Sequence, residues 1–160
     1  IMKEFDYELD YKRLDFTDEE TRKFYRIGRG EQGVLLVRPY TNDICAHWRF
    51  KTPQIAIESA HKIFDMYMDY FEEKDFIGMD MCRKFLEMGF TRARRYANHN
   101  SGRKYHITSS EIRYRQILPQ EEDHMTSKYA VSARIFKGVR DIVAKSGDYV
   151  TMRKEWRASE

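Results

Sequence analysis

The stretch from Thr52 to Asn98 constrains this chain more than any other. Thr52-Pro53 is a cap residue followed by proline at the first helical position, a strong helix start. From there Ala56, Ala60, Ile63, Phe64, Tyr67 and Phe71 recur at helical spacing to about Glu73. Glu72-Glu73-Lys74-Asp75 reads as a turn. A further helix runs from about Phe76 to Asn98, with Gly78, Cys82, Phe85, Leu86, Gly89, Ala93, Tyr96 and Ala97 as its buried face. Two long helices joined by so short a turn lie antiparallel, so this pair is the expected core.

The flanking segments are shorter. Phe5, Tyr7, Leu9 and Tyr11 alternate with polar residues, the pattern of a strand or of an extended arm laid across the helices. Thr17, with Glu20 three residues on, predicts a capped short helix from about Asp18 to Tyr25. Val34-Leu35-Leu36-Val37, closed by Pro39, and His47-Trp48-Arg49-Phe50 read as two short strands forming a hairpin. Beyond Asn98 a polar break runs to Gly102. Ile107, Ile112, Tyr114 and Ile117 then fit no period. Pro119, Glu121, Glu122 and Asp123 suit a helix N-terminus. Tyr129, Ala133, Phe136, Val139, Arg140 and Val143 form one face of that helix, and Gly147-Asp148 restarts the chain into a last helix ending near Trp156. The expectation is a single domain over residues 1–160, mainly α with a small β-hairpin (α+β), its core the antiparallel helix pair.

At 160 residues, 41% hydrophobic and 34% charged, the composition is that of a globular chain rather than a disordered one. No run approaches a membrane span, and Met2-Lys3-Glu4-Phe5-Asp6 is too polar for a secretory signal. Cys45 and Cys82 make no disulfide framework and read as reduced thiols of a cytoplasmic protein.

Gly28, Gly30 and Gly33 match the G-x-G-x-x-G spacing of dinucleotide sites. There a strand precedes and a helix follows, and here the order is reversed. The reading is a glycine-rich turn, with Arg29 leaving a weak anion-nest alternative. Cys45 and His47 are spaced as two ligands, yet a closed zinc site needs four and the other histidines are scattered, so no metal and no cofactor are expected. Cys82 sits on an apolar stripe, which makes it an inert thiol.

The best functional signal is Phe90–His106, FTRARRYANHNSGRKYH. It holds five cations (Arg92, Arg94, Arg95, Arg103, Lys104), two histidines and no acid, against a net +3 for the whole chain. Arg94, Arg95 and Asn98 join Arg83, Lys84 and Glu87 on the polar side of the helix. Arg92 leans inward toward a carboxylate such as Asp80 or Glu58. Arginine forks on phosphates, His99 as a further donor and Tyr96 as a stacking face would make a polyanion site. A solvated helix end, favoured by the macrodipole, stands beside that reading.

The strings GRGEQGVLLVRPY (28–40), HWRFKTP (47–53) and GMDMCRKFLEMGFTRARRYANH (78–99) resemble a domain-of-unknown-function family found in bacteria, some fungi and cyanophages. The resemblance covers roughly residues 5–106. It implies a small cytoplasmic protein and carries over no catalytic residue. It draws attention to Arg29, Glu31, His47, Trp48, Arg49, Arg92, Arg94, Arg95 and His99, three segments that could converge on one pocket.

The first expectation is therefore a non-enzymatic module that binds nucleic acid or another phosphate-rich partner through residues 90–106. The alternatives are a small enzyme or ligand receptor built on His47, Arg49, Arg92, Arg95 and His99, with Glu31 as general base, and a phage protein that binds a host protein. No membrane partner is expected.

Overall fold

Two side-chain caps set the frame of the fold. In the computed structural model, which describes residues 3–106 and 116–160, these described residues form a 3₁₀ turn (Tyr11–Arg13) and six helices. They are α1 (Glu19–Arg22), α2 (Tyr40–Cys45), α3 (Pro53–Glu72), α4 (Phe76–Asn98), α5 (Lys128–Lys145) and α6 (Gly147–Ser159). The Thr52 hydroxyl accepts from Ile55 N at 3.2 Å and starts α3. Asp75 accepts from Gly78 N at 3.2 Å and starts α4. Asp75 also takes Arg22 Nη2 at 2.8 Å and the Tyr40 hydroxyl at 2.5 Å, so one carboxylate ties α1 and α2 to the head of α4.

The α3–α4 pair has the expected bounds. Tyr70 packs against Gly78 beside the turn. Phe50, just ahead of α3, meets Tyr96 near the far end of α4, with ring centroids 5.6 Å apart. The two helices therefore run antiparallel. Helix α4 is central, packing against α2, α3, α5 and α6. From Phe76 to Gly89 all of its residues except Glu87 are buried. Its polar side does not face solvent as the sequence suggested. Asp80 and Lys84 are 0% exposed and Arg83 is 8% exposed, because the N-terminal arm, the glycine loop and α6 cover that side.

The expected hairpin is absent, for a local reason at each strand. In residues 34–37 the backbone turns, with Val34 N bonded to Glu31 O and Leu36 N to Gly33 O. The buried Thr41 hydroxyl accepts from Val37 N at 3.0 Å and donates to Val34 O at 2.9 Å. In residues 47–50 the buried Ser59 hydroxyl donates to His47 O at 2.7 Å and accepts from Arg49 N at 3.0 Å. Each hydroxyl takes the backbone groups that a neighbouring strand would have used. Among the described residues the strand pairing lies elsewhere: β1 (Tyr105–His106) runs antiparallel to β2 (Gln116–Ile117), with Tyr105 opposite Ile117. Ile107, Ile112 and Tyr114 lie outside the described residues.

Residues 4–16 form no strand. Phe5, Tyr11 and Phe16 are buried and begin a chain of ring contacts that continues through Tyr25 and Trp156 to Phe76. The cap of α1 is Asp18, accepting from Thr21 N at 3.1 Å, one residue later than expected. Thr17 instead bonds Asp15. Likewise α5 begins at Lys128 behind a Ser127 cap, because Glu121–Thr126 are taken up in turns. Among the described residues no helix is long and apolar enough to cross a membrane.

Candidate functional site

On α4, Asp80, Arg83, Lys84 and Glu87 fall at i, i+3, i+4 and i+7 and share one face. Asp80 lies at the bottom. It accepts from the Tyr25 hydroxyl, from the Tyr149 hydroxyl at 2.5 Å and from Arg83 Nε at 2.8 Å. Burial alone would raise its pKa. Arg83, Lys84 and the hydrogen bonds outweigh that and hold it at about 2. The same carboxylate pushes Tyr25 and Tyr149, already raised by burial, further up. Lys84 Nζ is 3.9 Å from Asp80, donates to Gln32 O at 2.7 Å and lies over the rings of Phe5 and Tyr25.

The glycine loop closes over this network with its carbonyls inward. Gly28 O accepts from Arg157 Nη2 at 3.0 Å, Gly30 O from Arg83 Nη1 at 2.9 Å and Gln32 O from Lys84. A phosphate cradle needs converging N–H groups, and this loop turns three C=O groups onto three cations. Its amides are partly engaged elsewhere, Arg29 N on the Gln32 side chain and Gly33 N on the Tyr7 hydroxyl. Gly33, at φ 76°, sits so close that a Cβ would be 2.2 Å from the Phe5 ring. Gly28 and Gly33 therefore serve the packing of the N-terminal arm against Phe5.

Above Asp80, between α5 and α6, lies a cleft of about 640 Å³. Arg83, Arg140, Arg153, Lys154 and Arg157 line it, with Glu87 and Asp141 as its acids. Arg140 pairs with both, at 2.5 Å to Glu87 and 2.8 Å to Asp141. Among the described residues Arg153 and Lys154 have no carboxylate within ion-pair distance.

The residues singled out in the sequence fall into separate places. Arg29, Glu31 and Arg92 share a depression of about 500 Å³ with Tyr7 and Met88. There Glu31 accepts from the Thr91 hydroxyl at 2.8 Å, and its pKa is raised chiefly by burial. His47 and Arg49 line a shallow hollow with Glu58 and Lys62. Trp48 is packed inward, its Nε1 donating to Phe85 O at 3.0 Å. Arg95, Asn98, His99 and Lys104 border a fourth depression, of about 400 Å³. His99 is buried with Nδ1 3.1 Å from Pro119 O, so that nitrogen carries the proton in the neutral ring. Arg103 is exposed.

The inward and outward arginines are exchanged relative to the expectation. Arg92 is exposed, whereas Arg94 is half-buried, with Nη2 lacking an acceptor and Arg134 of α5 as a neighbour that depresses its pKa further after burial. Helix α5 packs more extensively on α4 than α3 does and turns that side inward. Tyr96 is no free stacking face, since its ring packs on Phe50, Tyr129 and Gly102. Cys45 and His47 are both exposed. Among the described residues no three metal-ligating side chains are grouped to hold an ion.

The family model described as "Domain of unknown function (DUF4385)" matches residues 6–159. The chain belongs to the DUF4385 family. No curated protein and no solved structure matches it. The DUF4385 match runs through α5 and α6, past the two thirds covered by the strings quoted above, and so includes the helices that build the cleft.

The cleft of this DUF4385 chain escaped a linear reading of charge. Asp141, Asp148 and Glu155 are interleaved with Arg140, Lys145, Arg153, Lys154 and Arg157 and thin out the charge in any running sum. The i, i+4 spacing of Arg153 and Arg157, with Tyr149 and Trp156 on the buried side of α6, is the signal that could have found it.

The network also predicts a pH dependence. Burial pulls the Lys84 pKa down to about 7, against the opposing pull of Asp80, which Arg83 already engages. Between that value and the ordinary lysine pKa near 10.4, the unfolded chain binds a proton that the folded chain does not. Stability therefore rises with pH across this window and is level below it, with a slope approaching roughly 1.4 kcal/mol per pH unit. Above about pH 10 the buried tyrosines reverse the trend, because the folded state then keeps protons that the unfolded state loses. Urea unfolding of the parent and of Lys84→Met from pH 7 to pH 9.5 checks this. The variant should lose the rise, and parallel curves would refute the assignment.

Proposed function

We propose that this chain is a non-enzymatic binding module of the cytoplasm whose partner is rich in phosphate, with single-stranded nucleic acid as the first candidate. The surface is the end of α4 and the loop that follows it. One observation carries the reading: residues 99–104 fold back on the last turns of α4, so Arg95, His99 and Lys104 line one depression although a glycine break separates them in sequence. Gly102 makes the reversal possible. It adopts φ 72°, donates to His99 O at 2.8 Å and lies against the Tyr96 ring where a Cβ would be 2.6 Å away. Arg92 is exposed one turn before Arg95, and Arg103 is exposed beside Lys104, which extends the cationic surface on either side. Four such cations track a backbone as phosphate contacts do.

Binding of a fluorescent single-stranded oligonucleotide across a salt series tests the proposal. With four phosphate contacts, log K should fall against log salt with a slope of roughly −3. Arg95→Gln/Lys104→Gln should weaken binding and bring the slope to roughly −1.5. No binding near 50 mM salt, or a variant with the parent's slope, would exclude this surface. A ligand pocket around Arg29, Glu31 and Arg92 is a second reading, favoured by the raised pKa of a half-buried Glu31.

A further inference from the structure

We infer that the cleft between α5 and α6 binds a small phosphorylated ligand, a phosphomonoester or diphosphate of up to nucleotide size, through Arg153, Lys154 and Arg157. This site is separate from the end of α4 and does not depend on the reading given for it.

Most charges in the cleft are already engaged with one another. Both acids of its wall are held by Arg140, and the acid beneath its floor is held by Arg83 at 2.8 Å. Repulsion of an incoming anion is thereby blunted at every carboxylate that borders the space. The cations of α6 are not balanced in the same way. Arg153 and Lys154 have no carboxylate within ion-pair distance among the described residues. Arg157 donates through Nη2 to Gly28 O, but its Nη1 is buried and has no hydrogen-bond acceptor. Glu160 at 3.6 Å is an ion-pair contact too long for a hydrogen bond. That nitrogen is closed off on the Glu160 side, so Arg157 offers the cleft its charge, while among the described residues Arg153 and Lys154 offer free donors.

Size and shape agree with this. About 640 Å³ falls within the range of small-molecule sites, roughly 300–1,000 Å³. Ala144 and Val150 leave an apolar flank for the organic part of a ligand. The Arg153 fork and the Lys154 ammonium suit phosphate oxygens, the fork by paired donors and the ammonium as a point charge, with the Arg157 charge beside them. Low-dielectric walls on both sides of the cleft strengthen the field inside it. The floor is rigid as well, because Tyr149 at the start of α6 is fixed to Asp80 by its hydroxyl.

Calorimetric titration of the full chain with pyrophosphate in low salt tests the site. The parent should bind saturably with one-to-one stoichiometry, and pyrophosphate should raise its melting temperature. Arg153→Gln/Lys154→Gln touches no hydrogen bond of the fold and should weaken binding by about tenfold or more. Lys12→Gln/Arg13→Gln removes the same charge from the exposed N-terminal arm and should bind as the parent does. No saturable binding up to about 10 mM, well above the Kd range of functional sites, would overturn the proposal. So would equal weakening in the two double variants, which marks a general charge effect. Because the probe and the variants differ from those of the oligonucleotide series, either site can fail while the other stands.

Discussion

An Asp80→Ala protein should be less stable than the parent by about 3–5 kcal/mol, the range for removing one partner of a buried ion pair. The carboxylate is fully buried and serves Arg83, Tyr25 and Tyr149 together, with Lys84 close by. Its loss leaves a guanidinium uncompensated in the interior and two hydroxyls without their acceptor. Asp80→Asn keeps an acceptor but removes the charge, so it should fall between alanine and the parent. Arg83→Met in the alanine background separates the causes. If the stranded charge dominates, the double variant should recover part of the loss, although Gly30 O then lacks its donor. Urea unfolding of these four proteins and of Arg83→Met alone measures all of this, and strictly additive costs would refute the coupling.

Gly89→Ala should destabilise by about 1–3 kcal/mol, even though alanine is the better helix former by about 1 kcal/mol. The reason is steric. A Cβ at Gly89 would stand 2.3 Å from the Phe136 ring, and Phe136 is fully buried with no room to swing aside. Phe136→Leu added to Gly89→Ala should return part of the loss. Gly138, in the helix opposite, is the internal control. Nothing lies within 4 Å of its would-be Cβ, so Gly138→Ala should stabilise by roughly 0.5–1 kcal/mol. Thermal melts of the two alanine variants should move in opposite directions, and movement in the same direction would contradict the packing described.

The α3–α4 pair was legible because the chain carries its own signals there, Thr52-Pro53 as a helix start, a polar turn at 72–75 and apolar residues at helical spacing on either side. The strands at 34–37 and 47–50 were misread because their apolar runs are real but their backbone partners are single hydroxyls. Thr41 and Ser59 leave no periodic trace. Arg83, Lys84 and Glu87 read as a polar side, since helical spacing alone does not distinguish a wet polar face from a buried network such as the one they form with Asp80. Arg92 and Arg94 were exchanged because helical spacing does not tell which neighbour covers each side of α4, and α5 covers the side that bears Arg94. The basic cleft lies between two consecutive helices whose acids are interleaved with their cations, and Arg83 and Glu87 join it from α4, so no run of charge marks it.

The bond from Tyr149 to Asp80 has a consequence for the order of synthesis. The charges of α4 leave the ribosome well before α6 does, and until Tyr149 arrives Asp80 lacks one of its three direct hydrogen-bond donors. The ring contacts of Trp156 with Tyr25 and Phe76, and the Arg157 bond to Gly28, are missing at that stage as well. The partners of Arg83 and Lys84 in the glycine loop are made before α4, so those bonds can form first, and the delivery of α6 then adds the Tyr149 and Arg157 bonds that close the network.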